Sequence, residues 1–488
     1  MLARSVVARW PRLAPPPLAL LAVATGALGG VALVAASPLV LFAALCGAVA
    51  ATAMLRSPQV ALLGCVAVIS LLPFGVIPLR LGVQLTFLDA TLTVALLVTL
   101  LTLLRERRAL VASPLNAPLV LFIGLATVSF VVGTSFALSA ELVRYFLKLV
   151  NSVLLYFTIL NVVRTRPQVE QLARALILGG AGAAVIAVAL YFVPRTTAVQ
   201  VLSALRPLGY PSGPEVLRTI PDTDTLRAIG TSIDPNLLGG LLMMSAVLTV
   251  AQALAPRRVL PRPLLAILAA VQIVGLGLSY SRAAWVGLAV GVLYLATFRY
   301  RRAWVVAAVA GLALAAAPQG NAVLTRFLEA FGGRDPATAM RLVEYSTATQ
   351  LISQYPWFGV GFGSGPNVQL FLGVSSLYLL IAEEMGLLGL AVFLGIVALL
   401  LVGSLRGLVA LQQPRNQGLA LGLQACLAAA LTSGLFDHYF FRFPHSLALF
   451  WCYAALLWLA ATLPESGERA AAPDAAVAAG SPARPRVL

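Results

Sequence analysis

The sequence predicts an all-α polytopic membrane protein with about 14 transmembrane helices and both termini in the cytoplasm. Three observations carry this. The chain has 488 residues, 60% hydrophobic and only 10% charged, against about 25% charged in a soluble domain. Apolar stretches of about 18 residues or more recur from Leu18 to Leu463, long enough to cross a hydrocarbon core roughly 30 Å thick. Arginines gather in alternate connections, as the positive-inside rule requires. The alternating apolar and polar pattern of a transmembrane barrel is missing.

Taken in order, the expected spans are 18–36, 39–55, 59–79, 85–104, 117–133, 149–163, 173–193, 236–254, 264–280, 283–298, 303–317, 375–403, 417–435 and 446–463. The run from Leu264 to Phe298 shows how neighbouring spans separate, because Arg282 is its single charge. As one helix it would be roughly 52 Å long. It therefore folds back on itself, with Ser279-Tyr280-Ser281-Arg282 as the turn. The opening "MLARSVVARWPRLAPPPLALLAVATGALGG" reads as an uncleaved first helix, since its apolar part exceeds the 7–15 residues of a secretory signal core. Residues 1–17 form a basic cytoplasmic N-terminus, 18–463 the membrane domain, and 464–488 a disordered cytoplasmic tail of small, polar and proline residues.

Orientation follows from charge. With Arg4, Arg9 and Arg12 inside, every second connection is short and basic: Arg56; Arg105, Arg107 and Arg108; Arg164 and Arg166; Arg257, Arg258 and Arg262; Arg299, Arg301 and Arg302; Arg406 and Arg415; and the tail. These hold about twenty of the 33 basic residues. The net charge of +16 thus expresses topology. With no contiguous basic face, nucleic acid is not an expected partner. Cys46, Cys65, Cys426 and Cys452 lie in apolar spans without a CxxC pair and read as small core residues. No internal repeat is evident, which disfavours inverted-repeat transporters.

The outward face has long segments at about 194–235 and 318–374, a shorter one at 134–148, and "DHYFFRFPH" at 437–445. Arg195, Arg206, Arg218 and Arg227 lie in the first, Arg326, Arg334 and Arg341 in the second, with Arg282 and Arg442 at turns. Together they predict an electropositive extracytoplasmic surface suited to a phosphate-bearing lipid, because guanidinium pairs bidentately with phosphate oxygens. Separate solvated arginines are the bland alternative.

In "GTSIDPNLLGG", Asp234 and Asn236 stand where a helix cap belongs. In "MRLVEYSTATQLISQYPWFGVGFGSGP" (340–366), Leu342, Tyr345, Ser346, Ala348, Leu351 and Ile352 predict an amphipathic helix along the membrane surface. Pro356 ends it. Gly359, Gly361, Gly363 and Gly365 then permit sharp turns and close backbone approach to a ligand. In "SSLYLLIAEEMGLLGLAVFL" (375–394), Glu383 and Glu384 need partners at the membrane edge, and arginines of facing segments are the candidates. The two histidines, His438 and His445, flank Arg442 close to Asp437. Either is a possible base near neutral pH, or a polar tip of an aromatic belt formed with Tyr439, Phe440, Phe441 and Phe443.

In this order, "GTSIDPNLLGGLL" (230–242), "LSYSRAAWVGLAVG" (278–291), "MRLVEYSTATQLISQYPWFGVGFG" (340–363) and "SSLYLLIAEEMGLLGLAVFL" resemble the O-antigen ligase and O-antigen polymerase superfamily of bacterial inner-membrane glycosyltransferases. The first half matches only as a string of hydrophobic helices. The resemblance implies transfer of a glycan from an undecaprenyl-pyrophosphate-linked donor to an acceptor hydroxyl at the periplasmic face. The partners would be that lipid-linked oligosaccharide, a glycan or lipid acceptor, membrane lipids and other envelope polysaccharide assembly proteins. No metal, nucleotide sugar or other cofactor is implied, because pyrophosphate is already the leaving group.

Matched position by position, Arg282 and Arg341 take the places of family arginines and imply a role on the donor pyrophosphate. Arg227, Asn236, Tyr378, Glu384 and Arg442 are expected around the substrate. One departure stands out: Ser375 occupies the place of the histidine that ligases carry before the "N-x-Y-L" stretch, here Ser376-Leu377-Tyr378-Leu379. Serine is a poor base, so either His438, Asp437 or Glu383 assists or arginine-driven stabilisation of the leaving group is enough, and a polymerase, or a ligase for another acceptor, becomes favoured over a lipid A–core ligase. A transporter or flippase for a lipid-linked or amphiphilic substrate is the alternative from another class.

Overall fold

A computed structural model describes residues 38–77, 84–135, 138–220, 224–316, 336–362, 374–410 and 417–463. The expected first span 18–36, Arg4, Arg9, Arg12, Arg326, Arg334, Gly363, Gly365, Arg415 and the tail from 464 lie outside them. The chain divides into two units, Met1–Arg56 and Ser57–Leu488. Helix α1 (Pro38–Arg56) is the described part of the first.

The second unit is a polytopic all-α membrane protein. Its helices are α2 (Pro58–Leu71), α3 (Phe87–Arg105), α4 (Asn116–Thr134), α5 (Ala140–Val162), α6 (Arg166–Phe192), α7 (Arg195–Ser203), α8 (Pro235–Leu254), α9 (Arg262–Ser279), α10 (Arg282–Phe298), α11 (Ala303–Ala316), α12 (Pro336–Gln354), α13 (Leu377–Ala410), α14 (Gln417–Ser433), α15 (Tyr439–Arg442) and α16 (Pro444–Thr462). A two-residue antiparallel ribbon, β1 (Arg218–Thr219) and β2 (Leu226–Arg227), pairs Arg218 with Arg227. Among the described residues eight helices are long and apolar enough to cross a membrane, and shorter apolar helices lie at Leu45–Arg56, Pro58–Leu71, Arg282–Phe298 and Gln417–Ser433.

Local chemistry sets the helix ends. Asp234 is the N-cap of α8, its Oδ1 accepting from Asn236 N at 2.7 Å and Leu237 N at 3.2 Å, as its position before Pro235 predicts. Thr86 and Asp89 form a capping box at the start of α3. Two expected starts were too late. Ser139 caps α5, so the helix begins at Ala140 and the outward segment expected at 134–148 is mostly helical. Thr165, with Gln168, caps α6, which carries Glu170 and Arg174 inside its first turns. Glu170 pairs with Arg257 at 3.0 Å, and such charges lower local hydropathy without ending a helix. The expected span 59–79 ends early, at Leu71, just before Pro73.

The buried centre is α8 and α16. Helix α8 packs on α6, α9, α10 and α14, and α16 on α5, α13 and α14. Lipid offers apolar chains little reason to leave it, so close packing and interhelical hydrogen bonds hold such helices together. Gln272 of α9 donates to Ser245 Oγ of α8 at 2.8 Å and to the Ile177 carbonyl of α6 at 3.0 Å. Gln424 of α14 donates to Ser404 Oγ of α13 at 2.8 Å. Cys65, Cys426 and Cys452 are buried as expected, whereas Cys46 is exposed on α1.

Helix α13 breaks at Gly386, whose φ is 71° and ψ 179°. The break frees carbonyls that a helix would satisfy internally, and in an apolar setting each must find a donor. The segment after α12 supplies them: Val360 N donates to Glu383 O at 2.9 Å and Gly361 N to Glu384 O at 3.0 Å, while Leu387 N donates back to Pro356 O at 2.7 Å. Gly361, at φ 81°, presses on the backbone of Gly133 in α4. The glycine run was expected to let a ligand approach the chain. At Gly359 and Gly361 the close neighbour is the backbone of α13 and α4 instead.

Candidate functional site

Several helix ends converge at one end of this unit. Gly239 of α8 abuts Ser281, a Cβ on it falling 2.8 Å from the Ser281 Cβ. Arg227 of β2 donates through Nε to the Ser279 carbonyl and through Nη2 to Asn236 Oδ1, both at 2.8 Å. The backbone reinforces this, with Ala228 N donating to Leu278 O at 2.8 Å. Arg227, Asn236 and the α9–α10 turn are thereby one assembly. Arg282, half-buried, opens α10 directly after buried Ser281.

Helix α12 closes over the opposite side. Tyr345 donates its hydroxyl to the Ser375 carbonyl at 3.0 Å and the Leu435 carbonyl at 3.3 Å, and Ser375 N donates to Glu344 Oε2 at 2.9 Å. The α12 residues turned inward are Arg341, Glu344, Tyr345 and Ala348, at helical spacing, while Leu342 is 62% exposed and Ser346 also faces out. Of the expected face, Tyr345, Ala348, Leu351 and Ile352 are packed, whereas Leu342 and Ser346 are exposed and Arg341 and Glu344 turn inward in their place. Periodicity ranked Leu342 above Arg341 by hydropathy, but the first half of the inward surface is polar because it meets polar groups.

Those groups sit in the turn after α14. Asp437 is buried and its Oδ1 accepts from His438 N at 2.8 Å. Burial drives its carboxyl up, Arg341, the His438 N–H and Arg227 pull it back, Asp234 adds to the rise, and the balance is a pKa of about 7. The imidazole of His438 is pushed the other way, to about 4, by burial and by Arg442 and Arg341, against Glu344 and Asp234. At neutral pH His438 is uncharged. Its ring stacks with Phe443 at 6.1 Å. Burial also raises the Tyr345 phenol, opposed by Arg341.

The glutamates found one arginine. Arg442 Nη1 lies 3.0 Å from Glu384 Oε1 and the guanidinium stands 4.6 Å over the Tyr145 ring. The ion pair fixes α15 on the broken half of α13. Glu383 is half-buried and has no ion-pair partner among the described residues. Tyr378 donates its hydroxyl to the Leu431 carbonyl at 2.8 Å, a packing contact between α13 and α14.

The structure thus brings together Arg227, Asn236, Arg341, Ser375, Asp437, His438 and Arg442, and Arg282 opens the helix that follows Ser279, whose carbonyl Arg227 holds. Tyr378 and Glu384 belong to the supporting packing. Sequence reasoning named Asp437 as a candidate base and Asp234 as a cap, but not their electrostatic coupling, and it passed over Glu344. The spacing Arg341-Glu344-Tyr345 on one helix face was the available signal.

Residues 264–394 match the family model described as O-antigen ligase. The match spans roughly a quarter of the chain, from the start of α9 into α13, and includes Arg282, Arg341, Ser375 and Glu384. Arg227, Asn236, Asp437, His438 and Arg442 fall outside it. A comparison with curated proteins found no match.

Proposed function

We propose, from the match of residues 264–394 to the O-antigen ligase family model, that this chain belongs to the O-antigen ligase and polymerase superfamily and transfers or polymerises a glycan carried on undecaprenyl pyrophosphate. The reaction runs at the periplasmic face of a bacterial inner membrane. The observation that carries the reading is one cluster in which arginines from β2 and α12 act on a buried carboxylate.

The acceptor hydroxyl attacks the anomeric carbon of the donor sugar. A new C–O bond forms, the anomeric carbon–phosphate oxygen bond breaks, and undecaprenyl pyrophosphate departs with the bonding pair. Two demands follow, stabilising the departing diphosphate and accepting the hydroxyl proton. Arg282 and Arg341, with Arg227 behind them, meet the first through charge-assisted hydrogen bonds.

Asp437 meets the second. With a pKa of about 7 it is partly ionised at working pH and basic enough to take a proton, the condition general base catalysis favours. His438, at about 4, is a weaker base and lines the acceptor side as a neutral ring. Ser375, in the place of the ligase histidine, is clamped by Glu344 and Tyr345 through its backbone and leaves the proton to Asp437. Arg442 and Glu384 position α15, and Glu383 faces the same region from α13. This division favours a polymerase over a lipid A–core ligase.

Reconstitution in proteoliposomes with a short lipid-linked oligosaccharide tests the reading. A ladder of products is expected. A single adduct on a second acceptor would assign ligation, and donor moved intact across the bilayer would replace the enzyme with a flippase.

A further inference from the structure

A cavity of about 300 Å³ opens beside this cluster. Its wall includes Phe74, Thr86, Arg144, Lys148, Ile233 and His445. It adjoins the cluster through the chain itself: Asp234 follows Ile233, Arg144 precedes the Tyr145 that carries Arg442, and Phe443 joins His438 to Phe74. The ring centroids of Phe74 and His445 are 4.9 Å apart, and those of Phe74 and Phe443 6.5 Å.

Its charges are unusual for the tops of spanning helices. Lys148, the single lysine of the chain, pairs with Asp89 at 3.3 Å, and Asp89 also accepts from Thr86 N at 3.1 Å. Arg144, one helical turn before Lys148 on α5, has no ion-pair partner among the described residues. His445 is 7% exposed and its Nε2 has no hydrogen-bond partner among them. The cavity therefore combines one uncompensated cation, an aromatic wall and an unsatisfied buried polar atom. Its size is at the lower end of small-molecule sites, about 300–1,000 Å³, which suits one pyranose and not a headgroup with its acyl chains.

We propose that this cavity is a subsite for a sugar residue bearing a carboxylate, with the carboxylate on Arg144 and Lys148 and the apolar face of the ring against Phe74. The inference rests on the glycan-transfer reading and names the class of glycan: an acidic one. A neutral sugar would leave Arg144 desolvated without an anion, so the site discriminates by what it leaves unpaired.

Binding to the full-length protein in nanodiscs tests this without any turnover, using a glucuronate-containing disaccharide, its neutral glucose counterpart and short-chain phosphatidylglycerol as probes. The acidic disaccharide should bind at least about tenfold more tightly than the neutral one, the worth of one charge-assisted contact. Arg144→Gln should remove that preference and Arg144→Lys should restore most of it, with unchanged thermal unfolding. Phe74→Ala should weaken both disaccharides alike. Equal binding of the two sugars, or an unaltered preference in Arg144→Gln, overturns the proposal. Displacement of the disaccharide by phosphatidylglycerol, with lipid binding lost in Arg144→Gln, assigns the cavity to a phospholipid and overturns it too. Failure of the transfer reading is seen separately, as absent product with acidic-sugar binding intact.

Discussion

The charge of Arg341 on α12 pulls down the carboxyl of Asp437, in the turn after α14, that burial drives up, and Tyr345 of the same helix donates to the Leu435 carbonyl of that turn at 3.3 Å. Two segments almost a hundred residues apart are thereby coupled into one unit. Replacing Arg341 by Gln removes the cation, so the Asp437 pKa rises above its value of about 7 and less carboxylate is present at neutral pH. Transfer should fall by about 100-fold or more, as for loss of one preorganised charge-stabilising group. The remaining activity should climb at higher pH than in the wild type, and Arg341→Lys should keep the wild-type pH dependence. A pH–rate series on the three proteins measures this.

Arg282→Ala should reduce transfer on the same scale while the protein stays folded in the membrane, because the side chain is half-buried at the first residue of α10 and outside the buried centre. Product length and amount on a gel, beside a thermal unfolding curve, check this. Normal product would remove Arg282 from the diphosphate site.

His438→Gln should leave the position of the pH limb where it is. An imidazole held near 4 is already neutral throughout the neutral range and contributes no titration there. A limb that disappears in this variant would transfer the proton-accepting role from Asp437 to His438.

The membrane class, most spans and the place of Arg282 at a turn were legible because hydropathy and charge alternation are local properties. Asp234 as a helix cap was legible for the same reason. What lay beyond reach was pairwise: which arginine met which carboxylate. Glu384 was expected to find an arginine, yet nothing in either segment selects Arg442 over Arg341. The polar inward face of α12 was hidden by Leu342 and Val343, which are exposed. The break at Gly386 was invisible because its hydrogen-bond partners come from residues 356–361, and only the folded chain brings them to it.

Gly361→Ala should destabilise the fold strongly. The residue has φ 81°, and a Cβ there would fall on the backbone of Gly133 and Ser129. A non-glycine residue in a sparsely populated conformation alone costs about 1–3 kcal/mol, and neither backbone neighbour can rotate away. Gly386→Ala should behave alike, since its Cβ would meet the Trp357 carbonyl. Unfolding temperature in detergent reads both, and wild-type values would contradict the docking of 356–361 across the break.

The central claim is that Asp437 receives the acceptor proton beside arginines that hold a diphosphate. Its most direct test is the pH–rate profile of single-turnover transfer in proteoliposomes, wild type against Asp437→Asn. The wild-type rate should rise with pH through about 7, since the carboxylate form is the base, and the variant should lose roughly 100–10,000-fold in rate together with the limb. An Asn variant that keeps the same limb, or full activity, would contradict the account.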